Sequence, residues 1–192
     1  MRYSEDHKAK THQRIIEEAA RRFRSDGVGA TGLQSLMKGL GLTHGGFYAH
    51  FKSKDELVET ALAHAAEQLG TELDEALGDD APLSAFIARY LSSAHRAEPG
   101  AGCPLPTISA ELGQRGQPSD TTNALVQNRL ALIESGLHGE AAADQSVLML
   151  CAMVGALTLS RSVSDADLSD RLLKTTRRLL IEQADAADKT QA

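Results

Sequence analysis

The sequence predicts an all-α fold: a three-helix head over residues 1–53 and a larger helical body over residues 54–192, about nine helices together. Three observations carry that expectation. Apolar residues recur at helical spacing almost everywhere, and no alternating strand pattern survives for more than a few residues. Glycine, proline and polar runs at Gly27, Gly41, Gly78–Pro82 and Gly113–Ser119 interrupt the periodicity where helices should end. Charge divides the chain as well. Residues 1–56 hold ten Lys/Arg against seven Asp/Glu, a balance of +3, and residues 57–192 hold ten against nineteen, −9, together the −6 of the whole.

The first helix is expected from about Lys8 to Asp26, with Ile15, Ile16, Ala19, Ala20 and Phe23 as its buried stripe. Gly27 stands where a left-handed C-terminal cap belongs. Leu33, Leu36, Met37 and Leu40 make one face of a short second helix that Gly41 ends. Thr43 suits an N-cap, Leu42 and Phe47 a hydrophobic staple, and Phe47 and Phe51 the inward face of a third helix. Ser53–Glu56 reads as a capping box opening a long helix, with Leu57, Ala61, Ala65, Leu69, Leu73 and Leu77 along one side. Further helices are expected near 82–97, 105–113, 119–137, 140–162 and 165–186, before a polar tail that should fray.

A chain of 192 residues with 42% hydrophobic content can pack one or two domains. Its overall acidity leaves only the basic head for an anionic partner. The N-terminal stretch lacks the apolar core of a signal peptide. The longest apolar run, Val147–Leu159, falls short of the about 20 residues a bilayer needs, so a cytoplasmic protein without membrane contact is expected. Cys103 and Cys151 lie far apart and outside any metal-ligand spacing, and neither cofactor nor metal is expected.

The segment LTHGGFYAHFKSK, Leu42–Lys54, carries the functional signal. Gly45 and Gly46 each cost a helix about 1 kcal/mol relative to alanine, so core packing gives no reason for them. Two short helices joined by a glycine turn make a helix-turn-helix, whose second helix enters the DNA major groove with its first residues nearest the bases. Glycines there let the backbone approach sugar-phosphate or a thymine methyl. Thr43 and His44 reach forward beside that gap, Tyr48 offers its hydroxyl to a phosphate, and His50, Lys52 and Lys54 form a polar, basic edge. Spacing alone leaves a plain surface turn equally open.

The run Arg14–Leu62 resembles, without a gap, the DNA-binding domain of the tetracycline-repressor (TetR) family of transcriptional regulators. The resemblance rests on Ile15-Ile16, Ala19-Ala20, Phe23, Gly27 and Gly41, and on the pattern Phe47-Tyr48-x-His50-Phe51-x-x-Lys54-x-x-Leu57. It implies DNA contacts from Thr31, Gln34, Thr43, His44, Gly45, Tyr48, His50 and Lys54, with His44 the expected base reader. Two positions depart from it. Gly32 stands where Ser or Thr often caps the second helix, and Gly46 where a Thr or Ser hydroxyl is common.

One recognition helix reads few bases, so such heads work as dimers on palindromic double-stranded DNA. The helix near 140–162 is apolar nearly all round. Leu148, Cys151, Ala152, Gly155 and Leu159 lie on one side, and Val147, Leu150, Val154 and Leu157 on the other, so both faces demand cover. Leu168, Leu172, Thr176, Leu179 and Leu180 line the helix near 165–186. The resemblance implies a homodimer built as a four-helix bundle of these last two helices. It also implies a repressor released from its operator by a small-molecule effector in the body, with Phe86, Tyr90, Ile108 and Leu112 as candidate pocket walls.

Cys103 lies in GAGCPLP, at an expected helix start, with His95 and Arg96 upstream as sources of positive charge. This stretch and Ser109–Leu112 resemble a TetR subgroup that senses electrophiles or oxidants through a cysteine, which makes Cys103 a candidate sensor, beside the plainer reading of a small buried residue. Cys151 reads as filler within an apolar helix. Two other functions stay open: a thiol-dependent enzyme with Cys103 as nucleophile and His95 as base, and a helical interaction module without sequence-specific DNA binding. Pro104 counts against the enzyme, because it removes the amide donor that should follow the thiol.

Overall fold

The computed structural model describes residues 5–77 and 82–189, and side chains over 6–71 and 82–185. Among the described residues there are nine α-helices and no strand: α1 Glu5–Ser25, α2 Leu33–Gly39, α3 Lys54–Leu77, α4 Leu83–Tyr90, α5 Ser93–Ala97, α6 Ala110–Gln114, α7 Asp120–Ser135, α8 Ala142–Ser162 and α9 Ala166–Lys189. Two 3-10 helices, His44–Ala49 and Pro99–Ala101, and a π-helical turn, Leu105–Ser109, complete the helical elements. The expected break at 78–81, the side chains of Leu73 and Leu77, and the tail beyond Lys189 lie outside the described residues. Packing divides the chain into two units, Met1–Leu69 with Gly100–Thr121, and Gly70–Pro99 with Thr122–Ala192.

The first unit holds the head. Ile15, Ile16, Ala19, Ala20 and Phe23 of α1 are buried together with Leu36, Met37, Phe47 and Phe51, and with Leu57, Val58, Ala61, Leu62 and Ala65 of α3. Gly27 and Gly41 take φ of 90° and 73°, the left-handed region that lets α1 and α2 end sharply. Ser53 Oγ accepts from the Glu56 N–H at 3.1 Å, and the Glu56 carboxylate accepts from the Lys52 N–H, so the start of α3 is capped from both directions.

Long-range bonds then fix these pieces. Lys54 Nζ donates to the Val28 and Thr31 carbonyls at 2.6 and 2.7 Å. Arg24, only 4% exposed, donates to Ala20 O, Gly102 O and Gln68 Oε1. Thr107 Oγ1 donates to Arg24 O at 3.0 Å, and the Glu111 carboxylate accepts from the Gly29 N–H at 2.8 Å. The segment from Gly100 to Thr121 is thereby tied to α1 and to the turn that follows it.

In the second unit α8 packs along α9, which also receives α4, and α5 lies against α8. Two sequence expectations are corrected here. The single helix foreseen near 82–97 is two, because the Ser92 side chain accepts from the His95 N–H and caps a new helix. In the first unit the helix foreseen near 105–113 begins as a π-helical turn, Leu105–Ser109, and becomes α-helical only from Ala110.

Along α9 the buried residues are Ser169, Leu173, Leu180 and Ala184, while Leu168, Leu172 and Thr176, expected on the dimer side, stay part-exposed and Leu179 is exposed. Ser169 donates to Ser160 O at 2.6 Å and accepts from Arg96 at 2.7 Å, which fixes the start of the helix.

Helix α8 is also longer than its apolar run, and by length and composition alone it is long and apolar enough to cross a membrane. Its buried face, Met149, Leu150, Met153, Ala156 and Leu157, packs within the second unit, as the core helix of a globular fold would.

Replacing Lys54 with methionine removes two hydrogen bonds from a charged donor and should lower stability by about 1–3 kcal/mol. Urea unfolding checks this, with the exposed Lys52→Met as the control expected to change little.

Candidate nucleic-acid interface

The stretch His44–Ala49 is a six-residue 3-10 helix, with Thr43 as N-cap accepting from the Gly46 N–H at 3.2 Å. The sequence predicts an α-helix here. Two glycines in the first turn, which also lacks an acidic residue, weaken the α-helical ladder, and the short segment winds tighter instead.

The glycines themselves are not demanded by the fold. A Cβ built on Gly45 meets nothing within 4 Å, and one on Gly46 meets Thr43 Oγ1 at 3.4 Å and Met37 Cε at 4.0 Å, both ordinary contacts. Neither residue has a positive φ. What they leave is a turn whose outer surface is bare backbone.

Around this bare turn the exposed side chains are Gln34, Thr43, His44 and Tyr48. Tyr48 is 61% exposed, yet its ring is braced edge-on by His44 at 5.9 Å and by the buried Phe47 at 5.2 Å. An exposed aromatic held at a fixed angle loses little freedom on meeting a partner. On α2 the exposed Ser35 and Lys38 join the same element as Gln34, and Arg22 reaches Ser35 Oγ at 3.2 Å. Their place was legible in the spacing, as the outward positions between Leu33, Leu36, Met37 and Leu40.

Two expected contact residues point inward. Thr31 is 5% exposed, and its hydroxyl donates to Gly27 O at 2.8 Å. Its carbonyl receives the Lys54 ammonium, whose pKa is lowered, first by burial and then by Arg115. Thr31 and Lys54 hold the turn that carries the interface, instead of lying on its surface.

His50 is half-buried at the C-terminal end of the 3-10 helix, and its Nδ1 is sealed from solvent without a hydrogen-bond partner. The His12 ring lies 5.8 Å from it and stacks on Phe51 at 4.5 Å. Burial holds the His50 pKa below its ordinary 6.5, and the neighbouring His12 and Lys8 push it the same way. The folded state therefore disfavours the imidazolium. Its stabilising contribution is complete above pH 6.5 and is lost as pH falls through the lowered folded value. Melting temperature should decline on that acid side, and His50→Gln should flatten the decline in a pH series of thermal melts.

Elsewhere, Cys103 is 2% exposed and sits between the buried Gly102 and Pro104, not in the open, flexible turn that the sequence suggests. His95 and Arg96, the upstream groups expected to supply it positive charge, both bond within the second unit. His95 Nδ1 lies 2.7 Å from Tyr90 O, and burial pushes its pKa below the ordinary value. Arg96 pairs with Asp170 at 2.9 Å. Cys151, expected as filler, is exposed on α8. Phe86 and Tyr90 belong to the core of the second unit and Ile108 and Leu112 to that of the first; Leu112 also borders a surface pocket with Val28, Val58 and Arg115.

Residues 15–61 match the family model described as bacterial regulatory proteins, tetR family. An uncharacterized HTH-type transcriptional regulator of Mycobacterium tuberculosis is 26% identical over 183 residues, covering 89% of this chain and 94% of its own length. The regulator SrpR of Pseudomonas putida is 31% identical over 85 residues, 44% of this chain and 40% of its own. Among solved structures, a TetR transcriptional regulator from Chloroflexus aurantiacus superposes with a TM-score of 0.74 at 22% identity, covering 90% of this chain and 95% of that one. Escherichia coli NemR in its reduced form gives 0.69 at 18% identity, covering 89% and 95%. Those two structures establish the fold, and residues 15–61 are similar to the DNA-binding domain of bacterial regulatory proteins of the tetR family.

Proposed function

We propose that the protein is a homodimeric, cytoplasmic repressor that binds a palindromic operator and is released from it by an effector acting on the body. The observation that carries this reading is the bare first turn at Gly45 and Gly46, which the fold does not need and a closely approaching duplex does. Gln34, Thr43, His44 and Tyr48 surround it as the contact set, with His50 at its edge.

Dimerisation draws support from the second unit. Val147, Leu148 and Leu159 of α8 and Leu179 of α9 are each about half exposed, at 49%, 58%, 52% and 49%, a concentration of apolar surface that a lone subunit rarely leaves to water. Leu148→Glu should convert a dimer into monomers in sedimentation velocity and weaken operator binding with it. A wild-type chain that sediments as a monomer while bound to one half-site would overturn the dimer.

Release has two candidate routes, a non-covalent ligand and modification of Cys103. The thiol adjoins Gly102, whose carbonyl Arg24 holds, so a group added there has to disturb the seam that ties the segment from Gly100 to α1.

The test is fluorescence anisotropy on DNA from upstream of the protein's own gene and on a scrambled duplex. Gly45→Ala and Tyr48→Ala should each weaken selective binding about tenfold or more, a loss of roughly 1.4 kcal/mol or more. Gly45→Ala should leave the melting temperature unchanged or raise it, because alanine favours helix by about 1 kcal/mol. Full selective affinity in Gly45→Ala would sink the proposed role of the bare turn. Alkylation in a Cys151→Ser background then separates the routes. Loss of binding that Cys103→Ala prevents assigns release to the thiol, and retained binding assigns it to a non-covalent ligand.

A further inference from the structure

The turn from α1 to α2 runs Gly27-Val28-Gly29-Ala30-Thr31-Gly32, and its first two glycines meet a part of the chain far from them in sequence. A Cβ built on Gly27 would lie 2.0 Å from Glu111 Oε1, and one built on Gly29 would lie 3.1 Å from Arg115 Nη2. The Glu111 carboxylate accepts from the Gly29 N–H at 2.8 Å, across 82 residues, and pairs with Arg115 at 3.1 Å. Both partners pack in the same unit as the head. These glycines are thus unlike Gly45 and Gly46, where an added Cβ finds open or ordinary space. Gly27 and Gly29 form a seat for one ion pair.

The seat lies at the entry to α2. Gly32, the N-cap of that helix, has no side chain with which to bond its first amides, so the direction of α2 is left to the turn before it. The Thr31 hydroxyl grips the Gly27 carbonyl, and Lys54 grips the carbonyls of Val28 and Thr31. Glu111 grips an amide of the same turn. Its charge also matters to Lys54: burial and then Arg115 lower the Lys54 pKa, and Glu111 acts against both. Downstream, α2 presents the exposed Gln34, Ser35 and Lys38.

We propose that Glu111, braced by Arg115, is a positioning residue for DNA recognition. It holds the Gly29 amide, and through it the direction of α2 and of the outward side chains on that helix. The effect on DNA affinity rests on the repressor reading above; the grip on the turn does not.

The experiment compares the full-length wild type with Glu111→Ala, Glu111→Gln and Glu111→Asp. Glutamine keeps an acceptor oxygen at the same reach, whereas aspartate keeps the charge but falls one methylene short. The first readout is amide hydrogen exchange at room temperature without DNA. Residues 27–39 should exchange about fivefold faster or more in the alanine and aspartate variants, with the buried stripe of α1 unchanged and glutamine close to wild type. The second is anisotropy on the duplex that wild type selects from a random pool. Alanine and aspartate should weaken binding about fivefold or more, with glutamine within about twofold of wild type. Measured well below the melting temperature, affinity is insensitive to a mere loss of stability, because nearly all of the protein stays folded.

Exchange over 27–39 that stays at the wild-type rate in Glu111→Ala would overturn the positioning role. Faster exchange with undiminished affinity would overturn it as well, and so would a glutamine variant as weak as alanine, since the Gly29 amide would then not be the point of grip. Should the alanine variant fail to fold, the aspartate and glutamine variants carry the same comparison. A wild type that enriches no duplex would sink the DNA-binding reading instead, and the exchange arm would still decide whether Glu111 holds the turn.

Discussion

The ammonium of Lys54 is the constraint on which the candidate DNA-binding surface depends. It stands at the first residue of α3 and takes the carbonyls of Val28 and Thr31, on the far side of α2 and the 3-10 helix. The chain between Thr31 and Lys54 is thereby closed into a loop whose two ends share one charge. Inside it, Leu36, Met37, Phe47 and Phe51 fill the space against α1, and the outward residues are left with little freedom in direction. Closing a loop of this length is an entropic cost met once, during folding, so it need not be met again on binding.

The fold was legible where burial and backbone conformation act locally. The α1 stripe from Ile15 to Phe23 and the left-handed glycines at 27 and 41 follow from spacing and from the absence of a Cβ. What was hidden depends on side chains competing for backbone groups. Ser92 divides a helix that apolar spacing would continue, and Ser169 ties the start of α9 to the carbonyl of Ser160. Periodicity weighs a serine as neutral, so neither event leaves a mark in it.

The candidate site divides the same way. Thr43, His44, Gly45 and Tyr48 could be placed from sequence because their exposure follows from flanking the buried Phe47. Thr31 and Lys54 could not be told from surface contacts, since their bonds span 23 to 26 residues and end on carbonyls that every residue carries. The burial of Cys103 was only one of two open readings for a related reason: a run of glycines and prolines suggests an open loop, whereas Arg24 and Thr107 bind that segment down.

The 3-10 winding of the recognition segment sets its reach. At about 2.0 Å of rise per residue against about 1.5 Å for an α-helix, six residues differ in length by roughly 3 Å between the two forms. That is close to the rise of one base-pair step. Glycine at two of the six positions puts no Cβ in the way of either winding. On the proposed reading of this segment, a change of winding would carry its end by about the spacing of neighbouring bases.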